Sequence, residues 1–266
     1  MKINFVDKSV IVIGGTSGIN LGIAEKFAES GAKVAVASRS EKKVNDAIKL
    51  LSKYRNPAIG LAGDVRDFSA IENIMKNFHN KLGDFDVLIS GAAGNFPAPA
   101  NGISSNGFKA VVDIDLVGTF HVMRSSYPYL KKPGSSIINI SAPQAYVPIE
   151  LQVHVCAAKS GVDMITKVLA MEWGKDGIRV NSISPGPIAE TEGMKRLAPT
   201  EHILNATLES VPLKRIGEKN DIANTAMFLS SEYASYISGS VIPVDGGWSL
   251  GGASSLSSDM KKLFQI

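Results

Sequence analysis

Only one cysteine, Cys156, occurs in the chain, so no internal disulfide can form, and a reducing compartment is the natural setting. Histidine is nearly as scarce. His79, His121 and His202 stand alone, and His154 lies two residues from Cys156, a spacing that sends the two side chains to different faces of a helix. None of these has metal-ligand spacing, so no metal is expected and Cys156 reads as a small buried side chain. No uninterrupted apolar run of about 18 residues could span a bilayer. The apolar N-terminal stretch lacks a cleavage-like region and runs into a glycine loop. A formal net charge of +3, with Lys and Arg scattered among acids, describes no nucleic-acid surface. No Pro/Ser-rich linker, charge block or repeat divides the 266 residues, which therefore read as one domain, 1–266.

What is present is a regular alternation. Short β-branched runs at Val10–Ile13, Lys33–Ala37, Ala58–Ala62, Val87–Ser90, Ser136–Ile140, Arg179–Ile183 and Ser240–Val244 predict strands covered on both faces. Helical patterns fall between them, near 19–30, 41–54, 68–82, 107–131, 153–175 and 220–231. Repeated β–α alternation implies an α/β doubly wound parallel sheet of about seven strands with helices on both faces, and a ligand crevice at the carboxyl ends of the strands. The least regular segment, 184–211, holds Pro185, Pro187 and Pro199 and is the candidate lid over a site.

The first strand leads into Gly14-Gly15-Thr16-Ser17-Gly18-Ile19-Asn20. Glycines there let the backbone turn tightly and approach a pyrophosphate, whose charge meets N–H groups opening the next helix. Gly14, Thr16, Ser17, Gly18 and Ile19 are accordingly candidate dinucleotide-binding residues. The second strand ends in Ser38-Arg39 rather than an acid, a pair suited to a 2′-phosphate, so NADP(H) is the expected cofactor. Lys42 and Lys43 read as a solvated helix start, and Asp64 and Val65, after the third strand, can flank an adenine.

With Ala92-Ala93-Gly94, Lys159, Asn181, Pro185-Gly186 and Asp245-Gly246-Gly247 added, the chain resembles the short-chain dehydrogenase/reductase family over nearly its whole length. That resemblance implies a Rossmann-type fold and places Ala92, Pro185, Gly186, Ile188 and Thr191 along the cofactor, with Lys159 on the nicotinamide ribose. It also implies a homotetramer, with Val241–Trp248 in its interface region. The departures concentrate at the chemistry. Val155 stands in the tyrosine slot of Tyr-x-x-x-Lys, Ala142 at the serine, and Asp115 at the helix asparagine; Ile13, Asn20 and Ser90-Gly91 replace the usual Thr, Gly and Asn-Asn. The stretches Ala92–Pro97, Asp113-Ile114-Asp115, Leu151–His154, Pro185–Ile188 and Thr191–Met194 resemble the 2,4-dienoyl-CoA reductase branch, most closely its peroxisomal type, which implies a fatty acyl-CoA substrate.

The residues support such chemistry on their own terms. Phe108, Val111, Val112, Thr119, Phe120, Met123 and Tyr127 outline an apolar face of helix 107–131. Asp115 falls on that face with room beside Gly118, whereas Asp113 falls off it. Helix 153–175 buries Val162, Ile165, Leu169 and Trp173, turning Lys159 inward. Asp115, Lys159 and Ser141 form the expected catalytic set, with Asn95, Phe96 and Gln144 on the substrate side; Tyr146 is an alternative donor. Two other readings stay open: a 3-oxoacyl thioester reductase with a displaced donor, and a catalytically silent nucleotide-binding protein. The terminal Leu-Phe-Gln-Ile is not a peroxisomal tripeptide, so a cytoplasmic protein is expected.

Overall fold

The computed structural model describes residues 3–253. Seven parallel strands form one sheet: β1 (Ser9–Ile13), β2 (Lys33–Ser38), β3 (Ile59–Ala62), β4 (Val87–Ser90), β5 (Ser136–Ile140), β6 (Arg179–Pro185) and β7 (Val241–Val244). Their order is β3-β2-β1-β4-β5-β6-β7. Successive side chains of a strand alternate between faces. Val10 and Val12 therefore join one core, with Phe27, Ile222 and Ala226, while Ile11 and Ile13 join the other, with Ile71, Met75, Phe78 and Met123.

The first core is covered by α1 (Gly18–Glu29), α2 (Glu41–Leu51) and α9 (Lys219–Ser230). The second is covered by α3 (Phe68–Leu82), α5 (Gly118–Ser126) and α6 (Val153–Trp173), with α4 (Ser105–Val112) packed against α6. Strand order reverses at β1, which pairs with β2 on one side and β4 on the other. The glycine loop after β1 and the Gly91 segment after β4 thus face each other at the crevice of the switch point.

Two expectations are corrected. Helix 107–131 is not continuous: α4 ends at Val112, a wide turn spans Asp113–Val117 with the Gly118 N–H bonded to the Asp113 carbonyl, and α5 comes next, ending in a short 3₁₀ turn at Tyr127–Tyr129. That five-residue hydrogen bond inserts one extra residue and shifts the helical phase of α5 relative to α4. The buried stripe runs Val111, Asp115, Thr119, Val122 and Met123, and Phe120 is 48% exposed. Segment 184–211, the candidate lid, contains α7 (Glu192–Leu197) and α8 (Glu201–Ser210), capped by the side chains of Thr191 and Thr200. Cys156 is only half-buried.

Asn181 pins the end of the sheet. Its Nδ2 donates to the Ile237 carbonyl at 2.9 Å, and its Oδ1 accepts from the Ser240 N–H at 3.0 Å, fixing the segment that leads into β7. The Asn181 side chain is fully buried. The Ile237 carbonyl also accepts from Arg179 at 3.4 Å, so truncation leaves chiefly the Ser240 N–H without its partner, at a cost of about 1–3 kcal/mol. Asn181→Ala should lower the free energy of unfolding by roughly 1–3 kcal/mol in urea titrations; an unchanged midpoint would refute this role.

Candidate active site

Two adjoining cavities open at the carboxyl ends of β1, β2, β4 and β5. The first, about 470 Å³, is lined by Gly14, Thr16, Ser38, Arg39, Asp64, Val65 and Ala92, together with Lys43 and Arg66. Gly14 has φ +80°, and a Cβ there would lie 2.8 Å from the Ala92 nitrogen, so the chain must be bare where it crosses from β1. Thr16 Oγ1 donates to Ser38 Oγ at 2.8 Å, joining the glycine loop to the end of β2. Helix α1 begins without a side-chain cap from Ser17 and without an acid in its first turn. Its leading N–H groups remain for an anion. A bare turn, an uncapped helix start and the cations Arg39, Lys43 and Arg66 fit the pyrophosphate and phosphate groups of a dinucleotide.

Asp64, expected beside an adenine, lines this cavity as the partner of Arg66. Arg66 grips it at 2.6 Å and holds its carboxyl below the usual carboxylate range. Sequence reasoning missed Arg66 and assigned Lys43 to a solvated helix start. The signal for Arg66 was its position two residues beyond the Asp64 turn; for Lys43, only the tertiary fold brings it over the cavity.

The second cavity, about 490 Å³, shares Ser17, Asn20, Gly91 and Ala93 with the first. Gly18, Ile19, Pro185, Gly186 and Ile188 line it on the cofactor side, and Asn95, Asp115, Ser141, Gln144, Val155 and Lys159 on the other. Thr191, Met194, Leu197 and Thr207 of the 184–211 segment complete its wall, and Arg196 ties that segment down by donating to the Asn95 carbonyl at 2.9 Å. Gln144 is braced by its 2.7 Å hydrogen bond to Gln152 Oε1. Phe96 is not among the lining residues. It stacks on buried His154, 4.6 Å between ring centres, in the small apolar cluster of Val111, Val155 and Ala158. Tyr146 also lies off this wall, 46% exposed and 3.1 Å from Ser184 Oγ.

Asp115 and Lys159 meet at the cavity floor, 1% and 5% exposed. Asp115 Oδ1 accepts from the Gly94 N–H at 2.7 Å. Its Oδ2 is 3.3 Å from Lys159 Nζ, an ion pair short of hydrogen-bond geometry, so that oxygen can take a further partner. Lys159 Nζ itself donates to the Ile140 carbonyl at 3.0 Å. The wide turn at Asp113–Val117 carries Asp115 to this point, and Thr119 Oγ1 donates to its carbonyl at 2.6 Å. Burial pushes the Asp115 carboxyl above the usual carboxylate range, while Lys159, the Gly94 N–H and His154 pull it part of the way back. Asp113 faces outward and pairs with Lys109.

Asp163, one turn after Lys159, was missed although its i+4 spacing placed it on the same inward face. Burial pushes its carboxyl up as well, offset in part by the Ser141 and Ser182 hydroxyls and by Lys159. Among the described residues no cluster of His, Cys, Asp and Glu could hold a metal ion. Nor is any helix of the described residues long and apolar enough to cross a membrane.

Two raised carboxyls make the folded chain bind protons that the unfolded chain has released. The stability this contributes is complete below the unfolded carboxylate pKa and is lost as pH rises through the folded values. Asp64 and Asp221, held low by Arg66 and Arg215, act in the opposite sense and below the ordinary range. Between about pH 4 and 7, unfolding free energy should therefore fall with pH more steeply in the wild type than in Asp163→Asn. Parallel urea titrations at several pH values check this, and identical slopes would count against it.

Residues 14–249 match the family described as enoyl-(acyl carrier protein) reductase. The chain is 44% identical over 247 residues to a peroxisomal 2,4-dienoyl-CoA reductase [(3E)-enoyl-CoA-producing] of Arabidopsis thaliana, covering 89% of this chain and 83% of that one. It is 42% identical over 243 residues to the protein of the same name from Rattus norvegicus, covering 91% and 83%. Among solved structures, a short chain dehydrogenase from Bacillus anthracis superposes with a TM-score of 0.82 at 37% identity, covering 91% of this chain and 96% of that one.

Proposed function

The chain belongs to the short-chain dehydrogenase/reductase family, and from that footing we propose that it is an NADPH-dependent reductase of 2,4-dienoyl-CoA thioesters. One observation carries the reading: at the cavity floor, beside an apolar Val155 and Ala142, a buried aspartate is paired with a lysine.

Reducing a ketone requires an acid at the carbonyl oxygen as hydride arrives. Val155 and Ala142 can donate nothing there. A conjugated dienoyl thioester has a different need. NADPH bound along the first cavity would supply a hydride, and its addition at the far carbon of the diene would move negative charge onto the thioester oxygen. Lys159 stabilises that charge from a buried position, where a cation is more effective than in water. Asp115, whose raised carboxyl keeps its proton to higher pH than a free aspartate, delivers it through a water on Oδ2 to the carbon next to the thioester. One dienoyl-CoA, one NADPH and one proton thus give one 3-enoyl-CoA and NADP⁺. Ser141, Asn95 and Gln144 contact the thioester, and Ile149, Met194 and Leu197 offer an apolar path for the acyl chain.

The test is NADPH consumption with a 2,4-dienoyl-CoA against a 3-oxoacyl-CoA of equal length. Dienoyl turnover should dominate, and Asp115→Asn and Lys159→Ala should each lower kcat by about 10²–10³-fold. Efficient 3-oxoacyl reduction by the wild type would overturn the reading in favour of a carbonyl reductase.

The NADP preference rests on Arg39 with Ser38 at the far end of the first cavity, supported by Lys43 and Arg66. Arg39→Asp should weaken NADPH relative to NADH by at least about tenfold in KM, an effect of about 1.4 kcal/mol. An unaltered ratio would remove the 2′-phosphate assignment.

A homotetramer belongs to the same proposal. Met164, Val168 and Met171 are exposed at i, i+4 and i+7 on α6, an apolar stripe a monomer has no reason to present to water. Light scattering should give the mass of four chains, and Met171→Lys should reduce it; a monomeric wild type contradicts the proposal.

A further inference from the structure

Asn20 is the third residue of α1, where the family pattern keeps glycine, and Gly91 comes directly after β4, where that pattern keeps asparagine. In the folded chain the two departures are one exchange. The Asn20 amide fills the space beside Gly91, and its Nδ2 donates to the Gly91 carbonyl at 2.7 Å. A Cβ built on Gly91 would overlap Nδ2, Oδ1 and Cγ of Asn20. With the Asn20 amide in this place, position 91 has room only for a glycine; any larger residue would have to push the amide aside. An amide that the pattern carries on the strand side of the crevice is carried here on the helix side.

The exchange leaves one atom unsatisfied. Asn20 Oδ1 is buried and has no hydrogen-bond partner, although Asn20 as a whole is 8% exposed. An unpartnered buried acceptor is costly, and native folds keep few of them unless a ligand or water completes them. Its location says which ligand. Asn20 is one of four residues lining both cavities, so it stands at the neck between the adenine end and the catalytic end. Phosphate oxygens at that neck carry no hydrogen to give. Ribose hydroxyls do.

We propose that Asn20 is a cofactor-binding residue particular to this chain, its Oδ1 accepting a hydrogen bond from a ribose hydroxyl on the nicotinamide side of the dinucleotide, and that Gly91 is the space this arrangement requires. The inference rests on the reading of the two cavities as a dinucleotide site. It makes the glycine loop a contributor of side-chain recognition as well as of backbone N–H groups.

Fluorescence titration separates the two halves of the ligand. NADPH and NADH report the whole dinucleotide, and 2′,5′-ADP and AMP report the adenine end alone. Asn20→Gly should weaken whichever dinucleotide the wild type prefers by about three- to tenfold, the loss of a single hydrogen bond, and leave its adenine-end fragment bound as before. Gly91→Ala should weaken the dinucleotide similarly by pushing the amide aside. In the Asn20→Gly background the same alanine should cost no further affinity, a non-additivity expected only of groups in contact. Thermal unfolding without ligand, run on every variant, identifies any that is misfolded, and Gly91→Ala alone suffices if Asn20→Gly does not fold. Equal affinity of wild type and variants for the dinucleotide, or an equal loss for dinucleotide and fragment, would overturn the inference and leave Asn20 a brace. A wild type that binds neither dinucleotide would overturn this inference and the cofactor reading together.

Discussion

The site depends on one buried ion pair. Asp115 and Lys159 are both withdrawn from water, and a withdrawn charge costs several kcal/mol unless it is paired and its remaining polar contacts are met. Here the compensation comes from four separate segments. The loop after β4 supplies the Gly94 N–H, β5 supplies the Ile140 carbonyl, the wide turn between α4 and α5 carries the aspartate, and α6 carries the lysine. Breaking such a pair by removing one partner typically costs about 3–5 kcal/mol. The pair therefore holds the crevice in shape while it equips the floor for chemistry, and it explains why the helix is interrupted where it is. A regular helix has no fixed reason to place a carboxylate between Gly94 and Lys159; one inserted residue does so.

Polar groups in this chain have changed elements without leaving the site. A phenol and a hydroxyl are missing at Val155 and Ala142, and a carboxylate stands across the gap at Asp115. An asparagine is missing after β4, and one appears across the gap on α1 at Asn20. In each case the receiving space is held open by a small or apolar neighbour. Coupled replacements of this kind keep the shape of a site while altering which atom acts, and that separates dienoyl chemistry from carbonyl chemistry on a shared fold.

Much of the architecture was legible in the residues alone. Runs such as Val87–Ser90 and Ser136–Ile140 are apolar on both faces because both faces are covered, so strand positions emerged from periodicity. The candidate cofactor residues were legible because a phosphate-binding turn must be local: glycine, helix start and strand end occur within a few residues of one another. Phe96 and Phe120 were misjudged because their surroundings are set by distant segments. His154 takes the face of Phe96, and the wide turn rotates Phe120 to the surface.

By itself, the sequence determined the alternating parallel sheet, the glycine turn and the presence of one lysine and one acid on inward helix faces. These features arise from local periodicity and chain stereochemistry. The tertiary structure decided that Asp115 reaches Lys159, that Arg66 pairs with Asp64 at the cavity wall and that Asn20 occupies the space beside Gly91. Each is a contact between residues 44, 2 and 71 positions apart, respectively. The long-range pair contacts exist only once α1, β4, β5 and α6 have docked on one sheet, and even the short one takes its meaning from the cavity around it.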